Sequence, residues 1–266
     1  MPDVSRNTYE SFVAEYYDAI PFVKDRADLM FYLDEAKRSG DPIVELGCGT
    51  GRVLLPIAEA GHRVCGLDLS PHMLKKCREK LRRLSPEVRN RVRLVEADMI
   101  QFELGEKFRL ISIPFRPFQH LLSVEEQISC LRAAHRHLEP GGRLILDVFQ
   151  ADLKRLHDPF FLEESKQPWE FTLPDGRCIR LTDRIVAFHR AAQVNDVEQI
   201  FYVTHPDGRA ERFVHAFRMR YFFRYEVEHL LARCGFRVVE LFGDYDRSPL
   251  RDDSPEMLFL AELPAV

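Results

Sequence analysis

The first 150 residues alternate short apolar runs with stretches of helical spacing. Residues 24–37 and 53–59 carry apolar side chains at helical intervals, and Ser70 and Ser123 each stand where a helix N-cap is expected. Such alternation is typical of a doubly wound α/β sheet that helices cover on both faces. Five strands are predicted in this part, at Ile43–Leu46, Arg63–Leu69, Val92–Val95, Leu110–Ile113 and Arg143–Phe149.

After Ala151 the pattern changes to an alternation of apolar and polar residues with period 2. Pro174-Asp175-Gly176 and Pro206-Asp207-Gly208 are turn signals about one hairpin apart, so they predict long antiparallel strands from about Trp169 to Tyr221. The α/β pattern then returns, with a helix predicted over residues 226–234 and strands over residues 237–242 and 258–260.

These patterns predict an α/β protein with a Rossmann-like doubly wound sheet and an antiparallel β-sheet inserted after strand 5. The chain is divided into three parts where the hydrophobic periodicity changes. Residues 1–150 are expected to form the α/β core with an N-terminal helical segment, residues 151–222 the inserted antiparallel β subdomain, and residues 223–266 the return to the core with a helix and strands 6 and 7.

Composition narrows the class of protein. Hydrophobic residues make up 45% and charged residues 30% of the chain, which is typical of a folded globular protein. Lys and Arg total 38 against 42 Asp and Glu, a net charge of −4, so no nucleic acid partner is expected. The apolar runs are too short to cross a bilayer, and the N-terminus lacks a secretory signal, so we expect a cytoplasmic protein with no membrane partner.

The strongest chemical signal is the glycine-rich loop from Glu45 to Gly51 that follows the first predicted strand. Glycines there allow a ligand to approach the backbone closely. The spacing is G-x-G-x-G and a carboxylate, Glu45, precedes the first glycine, whereas a dinucleotide site uses G-x-G-x-x-G. A carboxylate at this position disfavours pyrophosphate and favours an ammonium or sulfonium group.

Two further acids follow the next predicted strands. Asp68 ends the second strand, where it can accept hydrogen bonds from both hydroxyls of a ribose. Asp98 follows the third strand and can accept a hydrogen bond from an adenine amino group. Together with Glu45, these acids fit a nucleoside that carries positive charge.

Four motifs carry a family resemblance: ELGCGTG at residues 45–51, GLDLSPHML at residues 66–74, ADM at residues 97–99 and LEPGG at residues 138–142. In combination they resemble the class I S-adenosylmethionine-dependent methyltransferases, and most closely small-molecule N-methyltransferases of the amino-sugar and glycine type. The resemblance implies a seven-stranded sheet whose last strand is antiparallel, with S-adenosyl-L-methionine at the carboxyl ends of the strands. It implies donor-binding roles for Tyr17, Glu45, Gly47, Cys48, Gly49, Gly51, Asp68, Leu69, Met73, Asp98, Met99 and Pro114.

On the acceptor side, the same resemblance points to His120, because residues 113–121 are similar to a family segment that ends in His-Leu. The expected role is catalytic: His120 would take a proton from the acceptor near neutral pH. The alternative is a histidine that only bonds to backbone. Arg116-Pro117 stand where the family usually has small hydroxyl residues, so acceptor identity is left open.

The leading hypothesis is therefore a methyltransferase that acts on a small molecule, most simply an amine and alternatively a hydroxyl compound, with the inserted sheet as an acceptor cover or a homodimer surface. A catalytically silent S-adenosylmethionine-binding partner subunit is a second hypothesis. A third is an NAD-dependent dehydrogenase, which Glu45 and the glycine spacing disfavour. No metal site is expected, because the six cysteines form no C-x-x-C pair and the histidines lack acids at metal spacing.

Overall fold

The structure of the protein is a computed structural model that describes Tyr9 and residues 11–264. Its strands are β1 Ile43–Leu46, β2 Val64–Asp68, β3 Val92–Glu96, β4 Phe108–Ile113, β5 Leu138–Phe149, β6 Trp169–Thr172, β7 Cys178–His189, β8 Val194–Thr204, β9 Ala210–Arg220, β10 Arg237–Phe242 and β11 Glu256–Glu262. Its α-helices are α1 Ser11–Tyr16, α2 Pro21–Lys24, α3 Leu29–Ser39, α4 Leu54–Glu59, α5 Pro71–Leu81, α6 Pro86–Arg89, α7 Val124–His137 and α8 Arg224–Arg233.

Residues 27–150 and 221–264 form one compact unit, built on a sheet in the order β10-β11-β5-β4-β1-β2-β3. Strands β1 to β5 run parallel, and β11 is antiparallel to both of its neighbours, β5 and β10. This arrangement confirms the Rossmann-like fold predicted from the sequence, including the antiparallel last strand.

Helices cover both faces of this sheet. Alternate strand residues point to opposite faces, so Val44 packs towards α7 and α8 whereas Ile43 packs towards α3, α4 and α5. Burial of both faces explains why the strands read as nearly continuous apolar runs in the sequence. Polar residues that interrupt those runs are therefore exceptional positions.

The predicted helix starts are present. The Ser70 hydroxyl accepts the backbone N–H of Met73 at 3.3 Å, and Ser123 with Glu126 forms the expected capping box, with distances of 3.2 and 3.1 Å. The first predicted helix differs from expectation. It is broken between α2 and α3, and Asp28, the residue before α3, directs its carboxylate away from the helix to Arg52.

Residues 151–220 and the described residues up to Arg26 form the other unit. Its antiparallel sheet has the order β6-β7-β8-β9, and both Pro-Asp-Gly turns lie between strands, as predicted. Phe12 on α1 stacks on Phe213 at 5.1 Å and meets the ring of Phe201 at 5.7 Å. The N-terminal segment therefore belongs with the inserted sheet, whereas the sequence placed it with the core.

Within residues 11–264, no helix is both long and apolar enough to be a membrane span. In that same part, the His, Cys, Asp and Glu side chains form no group of three or more suited to hold a metal ion.

Candidate donor and acceptor site

The glycine loop lies between β1 and α4, and its backbone requires glycine. Gly47, Gly49 and Gly51 have φ values of 74°, 53° and 80°, in the left-handed region that side chains disfavour. The loop is tied to the end of β2, because the N–H groups of Gly47 and Cys48 donate to the Leu67 carbonyl at 2.7 and 3.0 Å. This arrangement fixes the loop at the carboxyl edge of the sheet.

The three glycines face different surroundings. A Cβ on Gly47 would lie 2.6 Å from Pro117 Cγ, and one on Gly51 would lie 2.6 Å from Cys77 Sγ, so both positions are packed against protein. A Cβ on Gly49 would meet nothing within 4 Å. Gly49 is therefore the glycine of this loop over which a ligand can lie directly on the backbone.

Glu45 is a buried carboxylate at the end of β1, only 3% exposed, and its Oε2 atom has no hydrogen-bond partner. Burial raises the pKa of Glu45 to about 8, an effect that Arg52 opposes and Asp28 reinforces. In register beside it stand Gly66 on β2 and Ser112 on β4. A cationic ligand would supply the missing donor and favour the ionised carboxylate.

Arg52 immediately follows the glycine loop and forms a two-pronged ion pair with Asp28. Both Nη–Oδ distances are 2.6 Å, and the Asp28 side chain is fully buried. The guanidinium also lies over the ring of Phe115, 5.5 Å from its centroid. The pair joins the loop to the segment before α3 and places a fixed cation in the neighbourhood of Glu45.

Asp68 bridges the two loops at the carboxyl end of β2. Its Oδ2 accepts the N–H of Gly49 at 2.7 Å and its Oδ1 accepts the N–H of Ser70 at 2.8 Å. Burial raises the pKa of Asp68, while these two N–H groups act in the opposite direction. Each carboxylate oxygen has a second lone pair, so the geometry leaves both able to accept from a diol.

Asp98 lies in the connection after β3, where its Oδ1 accepts the N–H of Ile100 at 3.0 Å. The neighbouring Met99 reaches the glycine loop, with its Cε 3.8 Å from the position of a Cβ on Gly47. Sequence and structure thus place Asp98 and Met99 at the same edge of the sheet as Glu45 and Asp68.

Other predicted donor residues contribute less side-chain surface. Cys48 is 4% exposed with its sulfur beside Gly66, and burial raises the pKa of its thiol well above the usual value, which disfavours the reactive thiolate. Met73 and Pro114 are buried, and Leu69 is half-buried. Tyr17 lies in the unit that contains the inserted sheet. Donor contacts by these residues remain predictions.

The acceptor-side segment contacts the glycine loop directly, because Pro117 packs against Gly47. Pro117–His120 forms one 3-10 turn that ends at the half-buried His120. Gln119, fully buried, accepts the N–H of Phe149 on β5 at 3.1 Å. His120 is therefore carried by a segment that is anchored both to the sheet and to the donor loop.

Sequence reasoning missed three charged residues around this site: Asp28 and Asp147, which are buried, and Arg52, which is half-buried. Asp147 interrupts the apolar run of β5 at its carboxyl end, which is the same signal that identified Glu45 on β1. Arg52 was detectable as a cation directly after a ligand-binding loop. Asp28 gave no local signal, because its partner lies 24 residues away.

Comparison with known proteins identifies a methyltransferase domain in this chain. Residues 43–142, which contain β1 to β4, α7, the glycine loop and His120, match the methyltransferase domain family. The chain carries a methyltransferase domain and is an S-adenosylmethionine-dependent methyltransferase. It is 27% identical to the cypemycin N-terminal methyltransferase of Streptomyces sp over 96% of its own length and 98% of that protein.

Two other likenesses extend over most of this methyltransferase. It is 24% identical to the dTDP-3-amino-3,4,6-trideoxy-alpha-D-glucopyranose N,N-dimethyltransferase of Streptomyces venezuelae, covering 88% of this chain and 94% of the other. The fold is similar to that of the CcbJ methyltransferase from Streptomyces caelestis, with a TM-score of 0.76, 24% identity and coverage of 98% and 100%. The similarity therefore includes the inserted sheet as well as the core.

The local structure fits the methyl donor of this family. Glu45 offers a buried carboxylate oxygen without a partner, and Gly49 offers open space above its backbone. Asp68 presents two carboxylate oxygens at the adjoining strand end. These groups match the cationic, ribose-containing ligand that the family uses.

Proposed function

We propose that this methyltransferase transfers a methyl group to the amine nitrogen of a small molecule. The observation that carries the proposal is the contact of Pro117 with Gly47, which joins the His120 segment to the donor loop. The name of one relative, a sugar N,N-dimethyltransferase, supports nitrogen as the atom methylated.

In this proposal, the donor lies along the carboxyl ends of β1 to β3. Glu45 faces its ammonium group, Asp68 accepts from the ribose hydroxyls and Asp98 accepts from the adenine amino group. Gly49 provides the flat backbone surface on which the donor rests. Bound in this way, S-adenosylmethionine supplies a methyl carbon already activated by the sulfonium.

The protein then contributes orientation and one proton transfer. The acceptor nitrogen attacks the methyl carbon in line with the breaking carbon–sulfur bond, so most of the rate comes from holding the two groups in position. His120 is assigned to remove the proton that the acceptor nitrogen carries. Its anchoring through Gln119 and Pro117 suits this task, because a base must be held within hydrogen-bond reach.

A catalytically silent donor-binding subunit is the competing function. Both functions predict that S-adenosylhomocysteine raises the melting temperature while NAD does not, so binding alone does not separate them. Turnover does. We expect a panel of small amines, with phenols as matched non-amine acceptors, to show amine-dependent release of S-adenosylhomocysteine. Methylation of phenols alone would overturn the amine assignment, and donor binding without turnover on the panel would favour the silent subunit.

A further inference from the structure

The acceptor-side segment begins with two residues in an unfavourable backbone conformation. Phe115 and Arg116 have φ values of 61° and 72°, and neither is glycine. A left-handed conformation costs a residue with a Cβ roughly 1–2 kcal/mol. Two such residues in succession persist only where surrounding structure holds them, and such positions cluster at functional sites.

Asp147 holds the first of them. This residue lies near the carboxyl end of β5, is fully buried, and accepts the Phe115 N–H on Oδ2 at 3.0 Å. The same oxygen accepts the hydroxyl of Tyr32 on α3 at 3.2 Å and the hydroxyl of Tyr245 in the connection between β10 and β11. One carboxylate oxygen thus gathers donors from three separate segments.

Arg116 is held in turn by Glu256 on β11, with a distance of 2.5 Å between Nη2 and Oε1. Its guanidinium lies over the rings of Phe115 and Phe149, at 5.9 and 5.4 Å from their centroids. Leu258 on β11 pairs directly with Asp147 on β5, and Glu256 lies two residues before Leu258. Because residues two apart in a strand share a face, Glu256 and Asp147 lie on the same face of the sheet. Asp147 thus binds the backbone of the segment between Pro114 and Pro117, and Glu256 binds the side chain of Arg116 in the same segment.

We propose that Asp147 is a positioning residue for methyl transfer: by holding Phe115 in its left-handed conformation, it places Pro117 against the glycine loop and sets the location of His120. The inference rests on the proposed function, since the acceptor role of His120 is part of that proposal. Asp147 does not touch the acceptor in this scheme, because its side chain is fully buried and its Oδ2 already accepts from protein donors.

The test compares Asp147→Asn with Glu262→Gln. Glu262 is a matched control, since it also receives donors from β5, through Arg143, but at the opposite end of the pairing between β5 and β11. We expect Asp147→Asn to lower kcat about 10- to 100-fold, the size of effect that a displacement of about 1 Å produces. Affinity for S-adenosylhomocysteine should stay within about twofold of the parent, and Glu262→Gln should leave kcat unchanged.

Hydrogen–deuterium exchange provides a second measurement that needs no acceptor. The peptide containing residues 114–121 should exchange faster in Asp147→Asn and at the parental rate in Glu262→Gln. If no amine is methylated but this peptide still responds, the proposed function fails while the positioning of the segment stands. Unchanged exchange and unchanged kcat in Asp147→Asn would overturn the inference.

Tyr245→Phe keeps the test decisive if Asp147→Asn does not fold. It removes one of the donors to Asp147 and leaves the Phe115 bond in place. We expect a smaller loss of kcat, about threefold to tenfold, with the same local increase in exchange. A general loss of stability, with kcat and donor affinity falling together and exchange rising throughout the chain, would show a merely structural role and reject the proposal.

Discussion

Arg52 and Asp28 meet in parallel, Nη1 with Oδ1 and Nη2 with Oδ2, each at 2.6 Å. The Asp28 side chain is fully buried and that of Arg52 is 18% exposed. A bidentate pair of this kind fixes the direction of both side chains as well as their distance. It therefore locks the residue that follows the glycine loop to the segment that precedes α3.

Breaking this pair on one side should be costly. Arg52→Met leaves the Asp28 carboxylate buried without its cation, so we expect a loss of roughly 3–5 kcal/mol in the free energy of unfolding. The double variant Asp28→Asn with Arg52→Met should regain much of that loss, because no buried charge remains. Urea denaturation measures both values. Strictly additive losses in the double variant would contradict the coupling.

Glu45 should make apo-protein stability depend on pH. Its pKa is about 8 in the folded protein against an ordinary value of 4.5, so the folded state retains a proton that the unfolded chain has lost. Stability should therefore fall as pH rises from about 4.5 to about 8 and then level off. Denaturation across this range should show the decline in the parent and a weaker decline in Glu45→Gln.

Donor binding should reverse the protonation of Glu45. A cationic group beside the carboxylate favours its ionised form, so binding of S-adenosylhomocysteine near pH 7 should release close to one proton. Calorimetry in two buffers of different ionisation enthalpy measures that release. Glu45→Gln should bind more weakly and release less. Equal proton release in parent and variant would mean that the ligand does not engage Glu45.

The sequence revealed some of the residues in these three predictions and not others. Glu45 interrupts an apolar strand just before a glycine-rich loop, so a local pattern revealed it. Asp28 and Arg52 are brought together by tertiary packing across 24 residues, which no periodicity records. The left-handed Phe115 and Arg116 were also invisible, because neither residue type favours that conformation.

The domain organisation likewise has a part that local sequence patterns predict and a part that they do not. Changes in hydrophobic period located β1 to β5 and the inserted sheet, since most of these strands are either long or largely buried. The grouping of α1 with the inserted sheet depends on Phe12 meeting Phe201 and Phe213, and short helices carry too few positions to reveal their partner. Local patterns thus predict elements, whereas long-range contacts decide how they group.

Alanine variants of Gly49 and Gly141 distinguish the effect of backbone strain from the effect of ligand contact. Both have positive φ values, 53° and 76°, and a Cβ on either would meet nothing within 4 Å. Alanine at each position should cost roughly 1–2 kcal/mol of stability through backbone strain. Only Gly49→Ala should also weaken S-adenosylhomocysteine binding, by about tenfold or more, because its methyl group enters the donor surface. Equal affinities in the two variants would remove Gly49 from that surface.

Asp68→Ala should weaken donor binding by roughly 1–3 kcal/mol, because the ribose hydroxyls lose a charged acceptor in a partly dry site. Asp41→Ala is the control, since Asp41 also accepts a backbone N–H, from Arg63 at 3.1 Å, but near the start of β2. Calorimetric titration with S-adenosylhomocysteine measures both affinities. Parental affinity in Asp68→Ala, with native circular dichroism, would place the ribose elsewhere.

His120 gives the sharpest test of the acceptor side, because the structure anchors its segment independently of the imidazole through Gln119 and Pro117. If His120 is a base, His120→Ala should lower kcat by about 10²- to 10⁴-fold with nearly unchanged donor affinity. The parent should also lose activity on the acidic side of its pH profile, as the base becomes protonated, and the alanine variant should lack this loss.

If His120 only orients the acceptor, the loss of activity in His120→Ala should be smaller and appear mainly in KM. His62→Ala, which removes a histidine paired with Asp41, should match the parent. An alanine variant at position 120 with parental kcat and KM would assign this histidine a structural role.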